Sequence, residues 1–297
     1  MEWCFVLGPH RSGTTIVCNA LAASGAFACL TAADIVAFHE RSGAYGSGRH
    51  CPSDAGSTRA ALAALSRKGE TRKIDAVRVS EELPEEYGFL FPERRLTPET
   101  APVLTSVYRD LAGEAPDEAR YLLRNPWDFP NAARILELFP EATFVFVVRD
   151  PVETIDSQLQ AARTLLAEPS EYHALLDLRY RRLLRRRGRL ALYRLLARRP
   201  RFVDLLTRSL ARDTRRWTEA LERLPADRWI VTRYEDLLAE PARELRRLFT
   251  FLRLPPERTD AVAREIRPGA RTLHPQVVAR ITGIRSRTRR FRERFGY

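Results

Sequence analysis

The sequence lacks any apolar run of about 18 residues, the length that a helix needs to cross a bilayer. Its apolar N-terminal segment, Trp3–Leu7, is too short for an export signal and has no basic region before it. We therefore expect a soluble protein that is not exported. With 297 residues, of which 44% are hydrophobic, the chain is long enough to bury a large core as one α/β domain with an insertion.

The sequence also lacks a cysteine pattern. Its four cysteines, Cys4, Cys18, Cys29 and Cys51, have neither the close pairs of a zinc site nor the density of a disulfide framework. We therefore expect reduced thiols, no zinc site and a cytoplasmic location.

Lysine is nearly absent, so arginine carries most of the positive charge in a chain whose net charge is +12. Part of this excess reflects a general preference for arginine over lysine, since only two lysines occur. The remainder is concentrated, because fifteen arginines lie in the range Arg179–Arg216 and only Asp204 and Asp213 oppose them. The rest of the chain is close to neutral, which does not indicate a protein that binds nucleic acid over its whole surface.

Four short apolar segments have the composition of buried strands. They are Trp3–Leu7, Tyr121–Arg124, Thr143–Val148 and Trp229–Thr232. Continuous apolar strands separated by helical stretches are typical of a parallel sheet covered on both faces. The sequence thus predicts a P-loop-like, three-layer α/β fold in a single domain, residues 1–297, with an arginine-rich helical insertion over about 158–217. Residues 42–57, which are rich in glycine and serine, are predicted to form a mobile loop.

Each predicted strand leads to an arginine. The strand ends read His10-Arg11, Arg124-Asn125, Arg149-Asp150 and Arg233-Tyr234. Ligands of open α/β sheets bind outside the carboxyl ends of the strands, where these arginines are expected to converge. The sequence therefore predicts an anion-binding site at this edge of the sheet.

The segment after the first strand, Gly8–Thr15 (GPHRSGTT), has the G-x-x-x-x-G spacing of a phosphate-binding loop but not its lysine. Thr14 stands where that lysine would reach the β and γ phosphates of a nucleoside triphosphate. The loop keeps the backbone cradle of a helix N-terminus and adds Arg11, whose side chain can lie across a bound anion. Such a loop suits a transferred group with less charge than a phosphoryl group, such as a sulfuryl group, which does not need magnesium.

Four segments resemble motifs of the sulfotransferases that use 3'-phosphoadenosine 5'-phosphosulfate (PAPS). GPHRSGTT resembles the family's 5'-phosphosulfate loop, and FVFVVRDPVETIDSQ is similar to its 3'-phosphate motif, in which Arg149 is followed by Ser157. In TRYEDLLAEPARELRRLFTFL, Tyr234 corresponds to a residue near the adenine. In LLRNPWD, Arg124 takes the place of a family lysine that reaches the transferred sulfonate.

This resemblance implies an enzyme that moves a sulfuryl group from PAPS to an acceptor hydroxyl or amine by in-line displacement, with PAPS as co-substrate and no metal. Arg11 and Arg124 are then the expected catalytic cations. The expected nucleotide-binding residues are Arg11, Ser12, Gly13, Thr14, Thr15, Arg149, Ser157 and Tyr234. Arg149 and Ser157, about two helical turns apart, would hold the 3'-phosphate and so distinguish PAPS from ATP.

The sequence departs from the family at two places. The catalytic histidine of cytosolic aryl and steroid sulfotransferases corresponds to Pro126 here, and their C-terminal Arg-Lys-Gly motif is not recognisable. Arg271, Arg285 or Arg287 could contribute in place of that motif. The chain most resembles bacterial members of the family, with some similarity to tyrosylprotein sulfotransferases.

An acceptor hydroxyl must lose its proton as it attacks sulfur, so the reaction requires a general base. Tyrosylprotein sulfotransferases pair the loop arginine with a glutamate further along the chain, at a position that falls near Ala32 here. The nearest carboxylate is Asp34, which is the expected base. The alternatives that the sequence leaves open are His10, His39, Glu40, Glu85 and Glu86.

Two other functions remain open from the sequence. The apolar strand before Asp150 is similar to the strand that precedes a magnesium-binding aspartate in P-loop kinases and NTPases that use ATP, and Asp150 would then be the magnesium ligand. Alternatively, the arginine-rich residues 179–216 could bind nucleic acid or an anionic membrane surface, although the few aromatic residues there argue against nucleic acid. For the sulfotransferase we expect no nucleic-acid partner but a small-molecule, glycan or lipid acceptor, with Trp127 lining its site, and peripheral membrane contact through residues 179–216 stays an alternative.

Overall fold

The computed structural model describes residues 1–43, 55–75, 77–113, 119–255, 259–264, 266 and 272–297. The chain forms two compact units, each built from segments that are distant in sequence. The sheet unit comprises Met1–Cys29, Arg95–Gln158 and Val203–Tyr297, and the helical unit comprises Leu30–Arg94 and Leu159–Phe202. The single domain expected over residues 1–297 stays a prediction.

The described part of the sheet unit contains a five-stranded sheet in which all neighbouring strands are parallel. The strands are β1 (Glu2–Leu7), β2 (Ala28–Cys29), β3 (Arg120–Arg124), β4 (Thr143–Val148) and β5 (Trp229–Arg233), in the order β2-β3-β1-β4-β5. The four strands predicted from the sequence are confirmed. Strand β2 was not predicted, because its two residues are too few to show a pattern.

Helices account for most of the other regular structure. In chain order they are α1 (Thr14–Ala22), α2 (Ala32–Arg41), α3 (Ala55–Arg67), α4 (Ala101–Ala112), α5 (Ala132–Leu138), α6 (Pro151–Ala167), α7 (Glu171–Leu176), α8 (Leu178–Arg185), α9 (Arg187–Arg198), α10 (Arg201–Leu221), α11 (Tyr234–Ala239), α12 (Pro241–Phe251), α13 (Thr259–Ala263), α14 (Pro275–Val278), α15 (Ile281–Arg287) and α16 (Arg289–Phe295). Short 3-10 helices span Tyr87–Leu90, Pro126–Asn131 and Ala226–Arg228. The predicted P-loop-like α/β fold, with a central parallel sheet flanked by helices, is confirmed.

Both faces of the sheet are buried, as its continuous apolar strands predict. On one face, Val6 of β1 and Val145 of β4 form a cluster with Val17 of α1. On the other face, the ring of Phe146 packs edge-on against Trp217 of α10, with ring centroids 5.2 Å apart. Since helices cover both faces, the strand ends are the part of the sheet that can present polar groups to a ligand.

The strand order places a change of chain direction beside β1. After β1 the chain moves past β3 to form β2, whereas after β3 it crosses to β4 on the other side of β1. Ligands of open α/β sheets bind where successive connections leave in opposite directions. The carboxyl ends of β1, β3 and β4 are therefore the expected binding edge.

The predicted insertion, about 158–217, is mostly helical but is divided among several helices. Ser170 accepts a hydrogen bond from the N–H of His173 and begins α7. Asp177 accepts from the N–H groups of Arg179 and Tyr180 and begins α8. These capping side chains explain why a long amphipathic pattern is broken into shorter helices.

Part of the segment predicted as a loop, residues 42–57, is helical instead, because α3 begins at Ala55. Residues 44–54, including Cys51, lie outside the described residues. The other three cysteines are thiols, and burial raises the pKa of Cys4 to about 12, so this thiol stays protonated at neutral pH. None of the helices in the described ranges has the length and apolar composition required to span a membrane.

Candidate functional site

The loop between β1 and α1 is a compact turn of unusual backbone conformation. Arg11 and Gly13 have φ angles of 71° and 102°, both in the left-handed region. Glycine adopts such angles freely, whereas this conformation destabilises the folded protein by about 1–3 kcal/mol at a non-glycine residue such as Arg11. The N–H of Ser12 donates to the carbonyl of Pro9 (3.1 Å), which closes the turn, so this amide already has an acceptor within the loop.

Close contacts require glycine at both ends of the loop. A Cβ atom added to Gly8 would lie 2.3 Å from the carbonyl oxygen of Val147 in β4. A Cβ atom added to Gly13 would lie 2.4 Å from Cδ2 of Tyr234, at the start of α11. The loop therefore lies directly against β4 and against the tyrosine that the resemblance places near the adenine.

The loop presents polar groups that its own fold leaves unused. Ser12 is 0% exposed, yet its hydroxyl oxygen has no hydrogen-bond partner among the described residues. A buried hydroxyl without a partner destabilises a protein by about 1–3 kcal/mol. The N–H groups of Thr14 and Thr15, in the first turn of α1, also have no partner within the helix. An oxyanion over the loop would accept from all three groups, as at other helix N-termini that bind phosphate.

Arg149, directly after β4, has a side chain that is only 10% exposed. Its guanidinium lies over the ring of Tyr234, 4.4 Å from the centroid, and donates to Glu153 at 3.2 Å. Its Nε atom is buried and has no hydrogen-bond partner in the described part of the chain. The ring fixes the plane of this guanidinium, and its Nε donor is not used within the described residues.

The two predicted anion sites adjoin each other. Arg11 donates from Nε to the hydroxyl of Ser157 in α6 (3.2 Å), and its carbonyl accepts from Arg149 (3.3 Å). Gln158, the next residue of α6, donates to the carbonyl of His10 (2.9 Å). These bonds fix the loop to the junction of β4 and α6, so the residues expected at the 5' and 3' ends of the nucleotide lie side by side.

Arg124, at the end of β3, is 1% exposed and donates to the hydroxyl of Thr15 (2.5 Å). The turn that follows β3 is fixed by the buried carboxylate of Asp128. This carboxylate accepts from the side chain of Asn125 (2.9 Å) and from the backbone N–H of Leu96 (2.9 Å). Sequence reasoning missed Asp128 as a positioning residue, although its spacing from Asn125 in an Asn-Pro turn is a signal for such a bond.

A carboxylate at the start of α11 ties this edge to Tyr297. Glu235 accepts from the backbone N–H of Asp150 (2.9 Å) and from the hydroxyl of Tyr297 (2.9 Å). Arg233 stacks on the Tyr297 ring, 4.5 Å from the centroid. Burial first, and then the charge of Glu235, raise the pKa of Tyr297, so its hydroxyl remains a donor. Sequence reasoning missed both partners, and no local pattern signals Tyr297.

His10 and Trp127 form an aromatic contact beside the loop. Their ring centroids are 4.7 Å apart, with the planes at 72°. Trp127 belongs to the 3-10 helix Pro126–Asn131, so this contact joins the segments that carry Arg11 and Arg124. The structure thus brings the residue expected to line the acceptor site against one of the alternative bases.

The candidates for a C-terminal arginine differ in position. Arg285 and Arg287 are exposed on α15, and Arg271 lies outside the described residues. The backbone N–H of His274 donates to Asp156 of α6 (2.7 Å), the residue before Ser157. The contribution of a C-terminal arginine stays a prediction.

Asp34, the expected base, belongs to the helical unit and caps α2. The backbone N–H of Thr31 donates to Oδ2 of Asp34 (2.9 Å), and the N–H of Asp34 donates to the Thr31 hydroxyl (3.3 Å). Such a capping box stabilises a helix by about 1 kcal/mol. Asp34 thus has a local structural role, and its role as a base stays a prediction.

The alternative bases of the helical unit have different surroundings. His39 is 1% exposed, its Nε2 donates to a backbone carbonyl (3.1 Å), and burial lowers its pKa, so it is a neutral interior group. Glu85 forms a buried ion pair with Arg72 (3.2 Å) and accepts from the hydroxyl of Tyr172 (2.7 Å). Glu40 differs from both, because its Oε1 atom is buried without a hydrogen-bond partner in the ranges described. Of these three, Glu40 has the least committed proton acceptor.

A glycine loop at a helix N-terminus, placed at the carboxyl edge of a parallel sheet between arginines from β3 and β4, defines a P-loop-like α/β protein. The loop lacks the lysine that the kinases and NTPases of this class carry. The chain belongs to the sulfotransferase family, whose sequence model matches residues 4–205 and 193–258.

Solved structures with the same fold are bacterial sulfotransferases. The sulfotransferase STF9 from Mycobacterium avium superposes with a TM-score of 0.61 and 17% identity, covering 98% of this chain and 76% of that one. STF1 from Mycobacterium tuberculosis H37Rv gives a TM-score of 0.57 and 15% identity, covering 96% and 76%. At these identities the similarity shows the fold alone. Comparison with curated protein sequences gave no match.

Proposed function

We propose that this sulfotransferase uses PAPS and transfers its sulfuryl group to a hydroxyl or amine of an acceptor. The observation that carries the proposal is a pair of buried donors on adjoining segments, the Ser12 hydroxyl and Nε of Arg149, neither of which has a partner in the described residues. PAPS has a phosphosulfate at its 5' end and a phosphate at its 3' end. An oxygen of the 5'-phosphate would accept from the Ser12 hydroxyl, and an oxygen of the 3'-phosphate would accept from Nε of Arg149.

Each end of the donor has its own set of groups. The first N–H groups of α1 and the Ser12 hydroxyl donate to the 5'-phosphate. Arg149 and Ser157 hold the 3'-phosphate, which ATP lacks, and so select PAPS. Tyr234 is the proposed support for the adenosine between the two anionic ends, and its contacts with Gly13 and Arg149 favour this assignment.

In the transfer step, a bond forms between the acceptor oxygen or nitrogen and sulfur while the bond from sulfur to the 5'-phosphate oxygen breaks. The acceptor proton goes to the general base, and 3'-phosphoadenosine 5'-phosphate leaves. Arg11 stabilises the charge that develops on the leaving oxygen, and Arg124 lies over the sulfonate. These two guanidinium groups take the place of the lysine and magnesium of an NTPase loop.

The base is proposed to be Asp34, with Glu40 as the alternative. We expect Asp34→Asn to lower kcat by about 100-fold or more without weakening nucleotide binding, and Glu40→Gln to change kcat little. Thr31→Ala is the matched control, since it disrupts the α2 cap and keeps the carboxylate. The reverse pattern assigns the base to Glu40, and equal losses in Asp34→Asn and Thr31→Ala reduce Asp34 to a cap.

The kinase alternative fits the structure less well. Oδ1 of Asp150, the expected magnesium ligand, accepts from the backbone N–H groups of Val152 (2.6 Å) and Glu153 (3.3 Å). This is the bonding of a residue that begins a helix, here α6. A helix cap therefore accounts for Asp150 without a metal.

Calorimetric titration tests the proposal directly. The ligands are 3'-phosphoadenosine 5'-phosphate without metal and ATP with magnesium. We expect tight, metal-independent binding of the bisphosphate, about 100-fold weaker in Arg149→Ala and unchanged in the control Arg134→Ala, which removes an exposed arginine from α5. A preference for ATP with magnesium would refute the proposal.

The acceptor is proposed to be a small molecule, a glycan or a lipid, with Trp127 and His10 beside the loop at its site. Nucleic acid is not a proposed partner. The cytoplasmic location expected from the cysteines stays a prediction, and the thiols of Cys4 and Cys29 are compatible with it.

A further inference from the structure

Helix α9 carries a row of exposed apolar side chains. Within the described ranges eight large apolar residues are exposed, and four of them fall in one stretch of five residues on this helix. They are Leu192 (53%), Tyr193 (48%), Leu195 (50%) and Leu196 (45%). Residues spaced i, i+3 and i+4 share one helix face, so the three leucines form a continuous stripe.

The opposite face of α9 is attached to the helical unit. Leu190 and Ala197, seven residues apart, are its buried positions. Arg194 donates from Nε to the carbonyl of Leu166 (2.6 Å), and Arg163 donates from Nε to the carbonyl of Ala197 (2.9 Å). These contacts fix the rotation of the helix and leave the leucine stripe facing solvent.

Arginines flank the stripe on both sides. At about 100° per residue, Arg189 lies on one side of the leucines and Arg198 on the other. The range Arg185–Arg201 contains eight arginines and no carboxylate. Burial, and then the charge of Arg198, lower the pKa of Arg163, which is the direction expected where positive charges crowd together. The face therefore fits a partner that is anionic and also accepts apolar side chains.

We infer that α9 docks the protein on an anionic phospholipid surface. The leucines enter the boundary between headgroups and acyl chains, while the arginines extend to the lipid phosphates. A second copy fits poorly, because it would bring eight arginines against eight others. Nucleic acid satisfies the arginines but leaves the leucines in water. The inference goes beyond the proposed reaction and does not depend on it.

Sedimentation of the full chain with lipid vesicles tests the inference. The vesicles contain phosphatidylcholine alone or with phosphatidylglycerol, and no nucleotide is present. The variants are Leu192→Gln with Leu195→Gln and Leu196→Gln (the leucine variant), Arg189→Gln with Arg198→Gln (the arginine variant), and Arg212→Gln with Arg215→Gln (the control). Glutamine is a good helix former, and the control removes the same charge from exposed arginines of α10.

We expect the wild type to bind only the vesicles with phosphatidylglycerol, and the leucine and arginine variants each to lose at least about tenfold in partition coefficient. The control should bind as the wild type does, and added salt should weaken binding. Absence of wild-type binding overturns the inference. So does a leucine variant that binds fully, since the surface is then a general polyanion site, or a wild-type dimer that the leucine variant abolishes. Circular dichroism checks that each variant keeps its helices. Binding of the wild type to the vesicles tests the inference even if a variant does not fold.

Discussion

Glu153 forms an ion pair with the guanidinium group of Arg149, to which we assign the 3'-phosphate. Its Oε2 atom lies 3.2 Å from an NH2 group of Arg149, and the Glu153 side chain is 37% exposed. A phosphate bound to Arg149 would have to compete with this carboxylate and would also be repelled by it. Glu153→Gln should therefore strengthen nucleotide binding, which is the opposite of what most substitutions in a binding site do.

The size of the effect follows from the exposure of the pair. Partly exposed ion pairs contribute about 0.2–1 kcal/mol, because water screens them. Releasing Arg149 from such a pair should improve binding of 3'-phosphoadenosine 5'-phosphate by about 0.5–1 kcal/mol, which is about two- to fivefold in Kd. The gain should shrink as salt is added.

Calorimetry with two ligands isolates the effect. Adenosine 5'-phosphate lacks the 3'-phosphate, so its affinity should not change in Glu153→Gln. Glu137→Gln is the matched control, since it removes a carboxylate from an ion pair with Arg134 (2.8 Å) on α5. Weaker binding of the bisphosphate in Glu153→Gln, or an equal gain for both ligands, would refute the assignment of Arg149 to the 3'-phosphate.

Three further predictions concern the loop, a buried histidine and Tyr297. Gly13→Ala should abolish bisphosphate binding and lower Tm, because alanine would need a φ of 102° and its Cβ would meet the Tyr234 ring at 2.4 Å; wild-type affinity by calorimetry would contradict this. Burial lowers the pKa of His173 from 6.5 to about 4, so the unfolded state takes up the proton first and stability falls as pH drops from 6.5 towards 4, by up to about 3 kcal/mol. Urea unfolding of His173→Gln should show a flatter pH dependence in that window, and an unchanged slope would contradict the assignment. Tyr297→Phe removes the hydrogen bond to Glu235 and should lower the free energy of unfolding by about 1 kcal/mol, which the same urea assay measures; no change would mean that the bond contributes nothing.

The fold was predictable because its strands are unmistakable in composition. β4 reads as six consecutive apolar or β-branched residues, and β1 runs directly into a glycine loop. Strand β2 was not predictable, since two residues carry no period. The short turn between α7 and α8 depends on the capping side chain of Asp177, which an amphipathic pattern does not reveal.

The site was predictable only where its residues lie within local motifs. Arg149 and Ser157 share one strand-to-helix segment, so their spacing could be used. The bond from Arg11 to Ser157 joins residues that are 146 positions apart, and the bond from Tyr297 to Glu235 joins residues 62 apart. Such contacts arise from the strand order and leave no local signal. The capping role of Asp34 was visible in principle, because Thr31 precedes it by the three residues of a capping box.

The missing lysine can be understood from how positive charge is arranged around the loop. A lysine supplies one mobile charge, whereas Arg11, Arg124 and Arg149 supply three planar groups from three different strand ends. The contacts that fix them include a serine hydroxyl, a threonine hydroxyl and a tyrosine ring, which are neutral and so leave the positive charge available to a ligand. Three cations held together repel one another, and the carboxylate of Glu153 offsets part of that repulsion in the ligand-free protein. The same carboxylate should then oppose the incoming phosphate, so the substitution that improves binding should also lower the stability of the ligand-free protein.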